Sequence, residues 1–135
     1  MPTIQWQEKY SVGVKELDDQ HRRLLGIINS LIEEQKNEFE SKRFKDDISS
    51  LIHYAYTHFA TEERYLLQVH FPDLKVHIVK HIDFIMTTLN MASKIEEEDK
   101  KNRQELLNFL EGWYSSHVLG LDRQYIPFLT PHGLQ

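Results

Sequence analysis

Hydrophobic residues recur at steps of three and four along four long segments of this 135-residue chain. Such steps place side chains on one face of an α-helix, and no segment of any length shows the alternation typical of a β-strand. An extended arm is expected at 1–17 and a short irregular tail at 120–135. Between them the pattern predicts four helices, at about residues 18–39, 41–68, 73–96 and 102–119.

Polar residues beside these segments predict where the helices begin. Asp18 is expected to cap the first helix, because an aspartate side chain accepts hydrogen bonds from the unpaired amides of a first turn. Asn102, with Glu105 three residues later, resembles a capping box for the fourth helix. Four amphipathic helices with short connections predict an all-α fold: an antiparallel up-down four-helix bundle, in one domain over 1–135.

Composition and charge narrow the classes of function. The net charge is -5 and no basic cluster stands out, which argues against binding of nucleic acid. The lack of cysteine excludes disulfides, thiolate metal sites and cysteine nucleophiles, and it fits a reducing cytoplasm. The first residues do not resemble a secretory signal, and no apolar stretch approaches the roughly 20 residues of a membrane span. We therefore expect a cytoplasmic monomer.

Histidines are frequent, with eight in the chain, and five of them lie where the helical pattern places the core. Two carboxylates occupy similar inward positions. Because an isolated buried carboxylate is costly, two of them require partners inside the protein. These seven side chains come from all four predicted helices: His21, His58, Glu62, His77, His81, His117 and Asp122.

Two pairs among these residues have the spacing of ligands on one helix. His58 with Glu62, and His77 with His81, are four residues apart. On a helix this separation is about 6 Å along the axis and about 40° in direction, so the two side chains of each pair can reach one point. Both pairs therefore fit a common centre inside the bundle.

The last pair, His117 and Asp122, is five residues apart, which is about 140° in direction on a regular helix. Both side chains can reach one centre only if the helix ends or widens between them. Gly120 lies between them, and glycine tolerates the backbone angles that such a change requires. We therefore expect the fourth helix to be interrupted here.

Imidazole and carboxylate together suit iron, copper or zinc. One zinc needs about four ligands, so seven are too many for it. Two six-coordinate irons offer about twelve positions, of which five imidazoles fill five, two bridging carboxylates four and an assumed oxide or hydroxide two. One position stays open, so the count predicts a di-iron site with room for one small exogenous ligand.

At this point the chain resembles the bacterial hemerythrins, in motifs spread over nearly its whole length. The matching residues are Trp6, the run 10–14, Asp18 with Gln20, His21 and Leu24, His58-Phe59 with Glu62-Glu63, His77 with His81, and Trp113 with His117, Asp122 and Tyr125. The resemblance implies a four-helix bundle that binds dioxygen reversibly at two iron ions joined by an oxide or hydroxide.

The resemblance also implies how the residues divide between the two irons. Dioxygen would bind end-on at the iron with two histidines and be held as hydroperoxide, with both irons ferric and the proton bonded to the bridging oxygen. Release would reverse the electron transfer. The implied ligands are His77, His81 and His117 for one iron, His21 and His58 for the other, and Glu62 and Asp122 as bridges.

The oxygen pocket implied by the resemblance is apolar, so that water and protons do not displace the bound oxygen. Phe59, Trp113 and Val118 match its positions, whereas Tyr114 stands where the family generally has leucine. The phenol could donate a hydrogen bond to the bound oxygen, narrow the access or point away. We expect Tyr114 to line the open iron and to change the oxygen affinity or the autoxidation rate.

Other functions compete with oxygen carriage, storage or delivery. A di-iron enzyme, such as a peroxidase, an oxidase or a nitric-oxide-handling protein, could use the same site. Histidine-rich ligation favours the binding protein, because ferritin-like oxidases use Glu-x-x-His pairs that this sequence lacks. A structural metal bundle is disfavoured by the open position. A protein that supplies electrons or accepts oxygen is an expected partner. Glu63 and Tyr125 either orient ligands or are a solvated glutamate and a packed tyrosine.

Overall fold

The computed structural model of the chain describes residues 4–36, 41–96 and 99–129. The last of its four main helices, α4 (Lys100–Trp113), runs on into a π-helical turn, Tyr114–Val118, followed by a 3₁₀ helix, Leu121–Tyr125, and a short helix α5, Ile126–Leu129. The described residues contain no β-strand, and the predicted all-α bundle is confirmed. None of the helices described is both long and apolar enough to cross a membrane. The four main helices are α1 (Lys15–Lys36), α2 (Ser41–Gln68), α3 (Leu74–Ser93) and α4 (Lys100–Trp113).

The four helices enclose two hydrophobic clusters. α1 and α3 each pack against both α2 and α4, and neighbours joined by short connections run antiparallel. The larger cluster includes Leu24 and Leu106, and the smaller cluster includes Leu17 and Leu66. His21 lies on α1 between Leu17 and Leu24. A polar layer therefore separates the two clusters.

The N-terminal arm is tied to the bundle, and here the structure corrects the predicted boundary. α1 begins three residues earlier than expected, so Asp18 lies inside the helix and is not its N-cap. Its carboxylate instead accepts hydrogen bonds from the Ser11 hydroxyl and, at 2.8 Å, from the Val12 amide. Arg123 donates to the Lys9 carbonyl oxygen at 2.7 Å. Asp18 thus holds the N-terminal arm against α1. In the sequence, an aspartate with this role looks the same as an N-cap.

The other boundaries differ from the prediction by a few residues. α3 spans Leu74–Ser93 and so ends three residues before the expected position. The N-cap of α4 is Asp99, which accepts a hydrogen bond from the Asn102 amide at 3.1 Å, so the prediction of a capping box at Asn102 was wrong. The predicted tail is helical as far as Leu129. The expected end of the first helix and the last six residues lie outside the described ranges.

Candidate metal centre

The polar layer between the two clusters contains all seven residues predicted from inward positions. None of them is more than 4% exposed. Five imidazoles and two carboxylates would be costly in an ordinary hydrophobic core, so this layer has a chemical role. α1 supplies His21, α2 supplies His58 and Glu62, α3 supplies His77 and His81, and the segment after α4 supplies His117 and Asp122.

Glu62 lies in the middle of the layer, and its two oxygens face different histidines. Oε1 lies 2.7 Å from Nε2 of His77 and 3.1 Å from Nε2 of His81. Oε2 lies 3.3 Å from Nε2 of His21 and 3.4 Å from Nε2 of His58. The carboxylate therefore separates the histidines of α3 from those of α1 and α2.

Asp122 divides the histidines in the same way. Its Oδ1 lies 2.9 Å from Nε2 of His77 and 3.1 Å from Nε2 of His117, whereas Oδ2 lies 3.3 Å from Nε2 of His21. Each carboxylate thus offers one oxygen to a three-histidine group (His77, His81, His117) and the other to a two-histidine group (His21, His58). Combined with Glu62, each group has its ligand atoms within 4.8 Å of one another.

His117 and Asp122 converge because the helix changes between them, as their five-residue spacing requires. His117 lies in the π-helical turn after α4, and Asp122 lies in the 3₁₀ helix that follows. Gly120 joins the two with φ -124° and ψ -77°. A Cβ atom at Gly120 would lie 2.5 Å from the backbone oxygen of Ser116, so glycine alone fits this turn without a shift.

Hydrogen bonds on the outer side orient two of the imidazoles. Nδ1 of His58 lies 2.6 Å from Oε1 of Gln20, and Nδ1 of His81 lies 2.7 Å from Oε2 of Glu63. An acceptor at Nδ1 places the ring proton there and leaves the lone pair of Nε2 facing the centre. Glu63 was expected either to orient a ligand or to be solvated, and this contact with His81 supports the first role.

Tyr125 and Gln20 also contact the polar layer, and only Tyr125 had a candidate role from the sequence. Tyr125 is fully buried and donates a hydrogen bond to Oε2 of Glu62 at 3.0 Å, so it orients this carboxylate. Gln20 received no role from the sequence. It was noted only as part of the motif around His21, and a glutamine next to a histidine on a helix is common. Its contact with His58 arises from how α1 and α2 pack.

Proton binding in the layer follows the carboxylates. Burial opposes a charge on His77, but the adjacent carboxylates of Asp122 and Glu62 outweigh burial and raise its pKa to about 10. Burial also opposes a charge on His21, but the carboxylates of Asp122 and Glu62 outweigh burial and raise its pKa to about 9. Burial raises the pKa of Glu62, but hydrogen bonds from the surrounding histidines lower it well below its ordinary value. In the metal-free protein, protons therefore lie between histidine nitrogens and carboxylate oxygens. A metal cation would replace these protons and bind the same atoms.

Several buried atoms of the layer have lone pairs and no hydrogen-bond partner. Among the described residues these are Nδ1 of His21, Nε2 of His81, Nε2 of His117 and both oxygens of Asp122. Buried polar atoms are normally satisfied, and lone pairs that face one another at about 3 Å repel unless a proton or a cation lies between them. The nitrogen and oxygen donors fit metal ions of the iron, copper or zinc class.

Aromatic rings cover the three-histidine group. Phe59 stacks on His81 with 3.8 Å between ring centroids, and Trp113 stacks on His117 with 4.9 Å. The two aromatic side chains also contact each other, at 5.8 Å between centroids. They restrict the rotation of both imidazoles, which are at most 4% exposed.

Tyr114 and Val118, the other two predicted pocket residues, are fully buried in the larger hydrophobic cluster. The Tyr114 hydroxyl donates a hydrogen bond to the backbone oxygen of His21 at 3.0 Å. Burial raises the pKa of the Tyr114 phenol well above its ordinary value. The phenolic proton is therefore engaged by α1 and is not directed at the centre of the layer.

Sequence comparison relates the chain to proteins of known family. The family model described as "Hemerythrin HHE cation binding domain" matches residues 12–129. A bacteriohemerythrin of Clostridium acetobutylicum is 34% identical over 125 residues, which cover 90% of this chain and 97% of that protein. A hemerythrin-like protein of Naegleria gruberi is 27% identical over 120 residues, covering 89% of this chain and 88% of that protein.

Solved structures share the same architecture. The wild-type structure of a hemerythrin matches with a TM-score of 0.82 over 96% of this chain and 99% of that chain. Its sequence identity is 21%, so this match speaks to the fold alone. The family match over 12–129, in contrast, covers every residue of the polar layer.

Proposed function

The chain belongs to the hemerythrin family, and from this premise we propose that it binds dioxygen reversibly at two iron ions, for carriage, storage or delivery. One observation carries the proposal. Glu62 and Asp122 each turn one oxygen toward the three-histidine group and the other toward the two-histidine group. Two carboxylates that each contact both groups of histidines suit a pair of ions that share them. A single ion would not need its histidines divided into two groups.

In this proposal the three-histidine group would hold one iron, the two-histidine group would hold the other, and both irons would share Glu62 and Asp122. The two ions are unequal because one has three imidazoles and the other two. Counted with an oxide or hydroxide, the seven side chains would leave about one coordination position free, at the iron that the two-histidine group would hold. That position is the proposed site for dioxygen.

When bound, the iron pair supplies the electrons that reduce dioxygen and takes them back on release. The chain's own residues keep the geometry constant and the site dry. Gln20 and Glu63 hold two imidazoles by their outer nitrogens. Phe59 covers His81 and Trp113 covers His117. Glu63, a partly exposed acid beside the layer, is engaged by Nδ1 of His81, and this arrangement favours binding without further chemistry.

The competing proposal is a di-iron enzyme that uses the same site, with its reactivity altered by Tyr114. A phenol that offered its proton to bound oxygen would favour peroxidase-like chemistry. The contact with the His21 carbonyl occupies that proton, and the raised pKa of Tyr114 opposes its release. These observations support the binding protein.

We further propose that Tyr114 acts through its volume, by narrowing the access to the open position. Tyr114→Leu should then change the decay rate of the oxygenated spectrum, whereas Tyr114→Phe, which keeps the ring, should leave the rate unchanged. If the leucine variant decays like the wild type, Tyr114 has no such role.

Optical spectroscopy of the anaerobically reconstituted protein tests the proposed function. The ferrous protein should be colourless, develop charge-transfer bands in air and lose them again under vacuum. His58→Ala should abolish the cycle, whereas His53→Ala, an exposed histidine on the same helix, should preserve it. Irreversible bleaching with turnover of a reducing substrate would instead support the enzyme.

A further inference from the structure

The outward face of α3 carries an unusual amount of exposed hydrophobic surface. Five large apolar side chains on it are each between 47% and 61% exposed: Val76, Val79, Ile82, Met86 and Leu89. We call this set the α3 stripe. Elsewhere in the described part of the chain, only Tyr56 and Leu67 are large, apolar and comparably exposed. α3 thus buries mainly polar side chains (His77, His81 and Thr88, with Phe84) and exposes an apolar outer face, the reverse of the usual order on a surface helix, so this outer face is suited to a partner.

The size of the α3 stripe matches an interface. Half-exposed side chains of this kind offer together on the order of 500 Å² of apolar surface, at the upper end of what a monomer usually exposes in one patch. A stable dimer buries about 800 Å² on each subunit, of which about 65% is apolar. The stripe supplies about that apolar share.

We propose that the α3 stripe is the interface of a two-fold dimer with a second copy of this chain, in which the two α3 helices pack antiparallel. A two-fold interface requires a surface that is complementary to itself. The stripe has steps of three, three, four and three, nearly the same in both directions. With the axis beside Ile82, Val79 lies opposite Met86 of the second copy, and Val76 lies opposite Leu89.

Charges beside the stripe favour this arrangement. Lys80 and Asp83 flank Ile82 on the side of α3 that faces α4. In an antiparallel pair, Lys80 of one copy comes level with Asp83 of the other to within about one helical turn, and the symmetry makes this contact twice. Opposite charges at the centre of the contact select a second copy of the chain over an unrelated apolar surface.

The dimer would also cover a groove that leads to the metal centre. Between α2 and α3 lies a cavity of about 200 Å³, with Tyr56 and Ile82 at its mouth and Phe59, Glu63 and His81 among its lining residues. A second copy seated on Ile82 covers that mouth. It then keeps water from the hydrogen bond between Glu63 and His81. This consequence, unlike the dimer itself, rests on the proposed function.

Sedimentation velocity of the iron-loaded protein distinguishes the proposed dimer from the monomer expected from the sequence. At about 100 μM we expect twice the chain mass of 16.1 kDa. Met86→Glu should give a monomer, whereas Leu67→Glu, equally exposed on α2, should stay dimeric. A wild type that is monomeric throughout the concentration range overturns the proposal, and so does a Met86→Glu variant that remains dimeric.

Charge reversal tests the antiparallel contact. Lys80→Glu should weaken the dimer about tenfold, because it sets two carboxylates against each other. Adding Asp83→Lys to that variant should restore the dimer to within about threefold of the wild type. A double variant as weak as the single one contradicts the pairing.

Cysteine cross-linking tests the register, since the chain has no cysteine of its own. Ile82→Cys lies beside the axis and should form a disulfide-linked dimer on mild oxidation. The two copies of Leu89→Cys should not react, because they would be about 20 Å apart along the axis. Cross-linking of Leu89→Cys in preference to Ile82→Cys would overturn the proposed geometry.

Discussion

The two sides of the candidate metal centre reach the same layer by different means. On the regular side, α2 and α3, ligand pairs four residues apart are aimed by unbroken helices. On the irregular side, His117 and Asp122 are five residues apart and converge only through a π-helical turn, Gly120 and a 3₁₀ helix. A regular helix positions ligands with its period alone. The irregular side also depends on a backbone position that touches no ligand.

The largest expected effect comes from the regular side. Glu62→Gln removes the charge that both histidine groups share and replaces one carboxylate oxygen with an amide nitrogen. We expect bound iron to fall from about two per chain to below one. Elemental analysis measures this, and Glu105→Gln, an exposed glutamate on α4, is the matched control. Full iron content in Glu62→Gln would show that Glu62 does not bridge.

The next effect tests the irregular side through its backbone. In Gly120→Ala the added Cβ meets the Ser116 carbonyl oxygen, so the turn must shift and move Asp122. We expect iron affinity to fall about tenfold or more, as for residues that orient ligands. Competition with a chelator measures the affinity.

Gly112→Ala provides the control, because an added Cβ there has no atom within 4 Å and the residue lies inside α4. It should preserve iron affinity and stabilise the fold by about 0.5–1 kcal/mol. Equal iron affinities in the two alanine variants would contradict the dependence on Gly120.

In the metal-free protein, the histidines of other helices also depend on the irregular side, since His21 of α1 and His77 of α3 both contact Asp122. Their pKa values are raised to about 9 and about 10, above the ordinary 6.5, so their contribution to stability is complete below about pH 6.5. It is lost as the pH rises through 9 and 10. Urea titrations of the metal-free protein should therefore show a falling free energy of unfolding from pH 6.5 to 10. A stability that rises over this range would contradict the proposed protonation.

The smallest effect concerns the contact between Tyr114 and α1. Tyr114→Phe removes the hydrogen bond to the His21 carbonyl oxygen but keeps the buried ring. We expect a loss of about 1 kcal/mol in the free energy of unfolding. Chemical denaturation at pH 7 measures it. A loss of several kcal/mol would show that the hydroxyl does more than bond to this carbonyl.

Features that follow from helical period were predictable from the sequence. The four helices and the inward position of all seven residues depend on steps of three and four, and an imidazole on such a stripe is easy to see. The sequence also predicted that the helix must change between His117 and Asp122. It did not predict a π-helical turn, because the widening depends on how Gly120 packs against the preceding turn.

Features that depend on neighbouring helices were not predictable in the same way. Asp18 has the sequence signal of a cap, yet its partners lie in the arm. Gln20 reaches His58 only because of how α1 is rotated against α2. The exposed apolar side of α3 was not predicted either, since apolar residues surround His77 and His81 in the sequence and only the packing shows which of them face outward.

Iron content of the reconstituted wild type tests the central claim most directly. If Glu62 and Asp122 bridge a three-histidine and a two-histidine group, anaerobic loading followed by gel filtration should leave about two irons per chain. A plateau at one iron or fewer after full reconstitution would contradict the paired centre and the oxygen binding built on it.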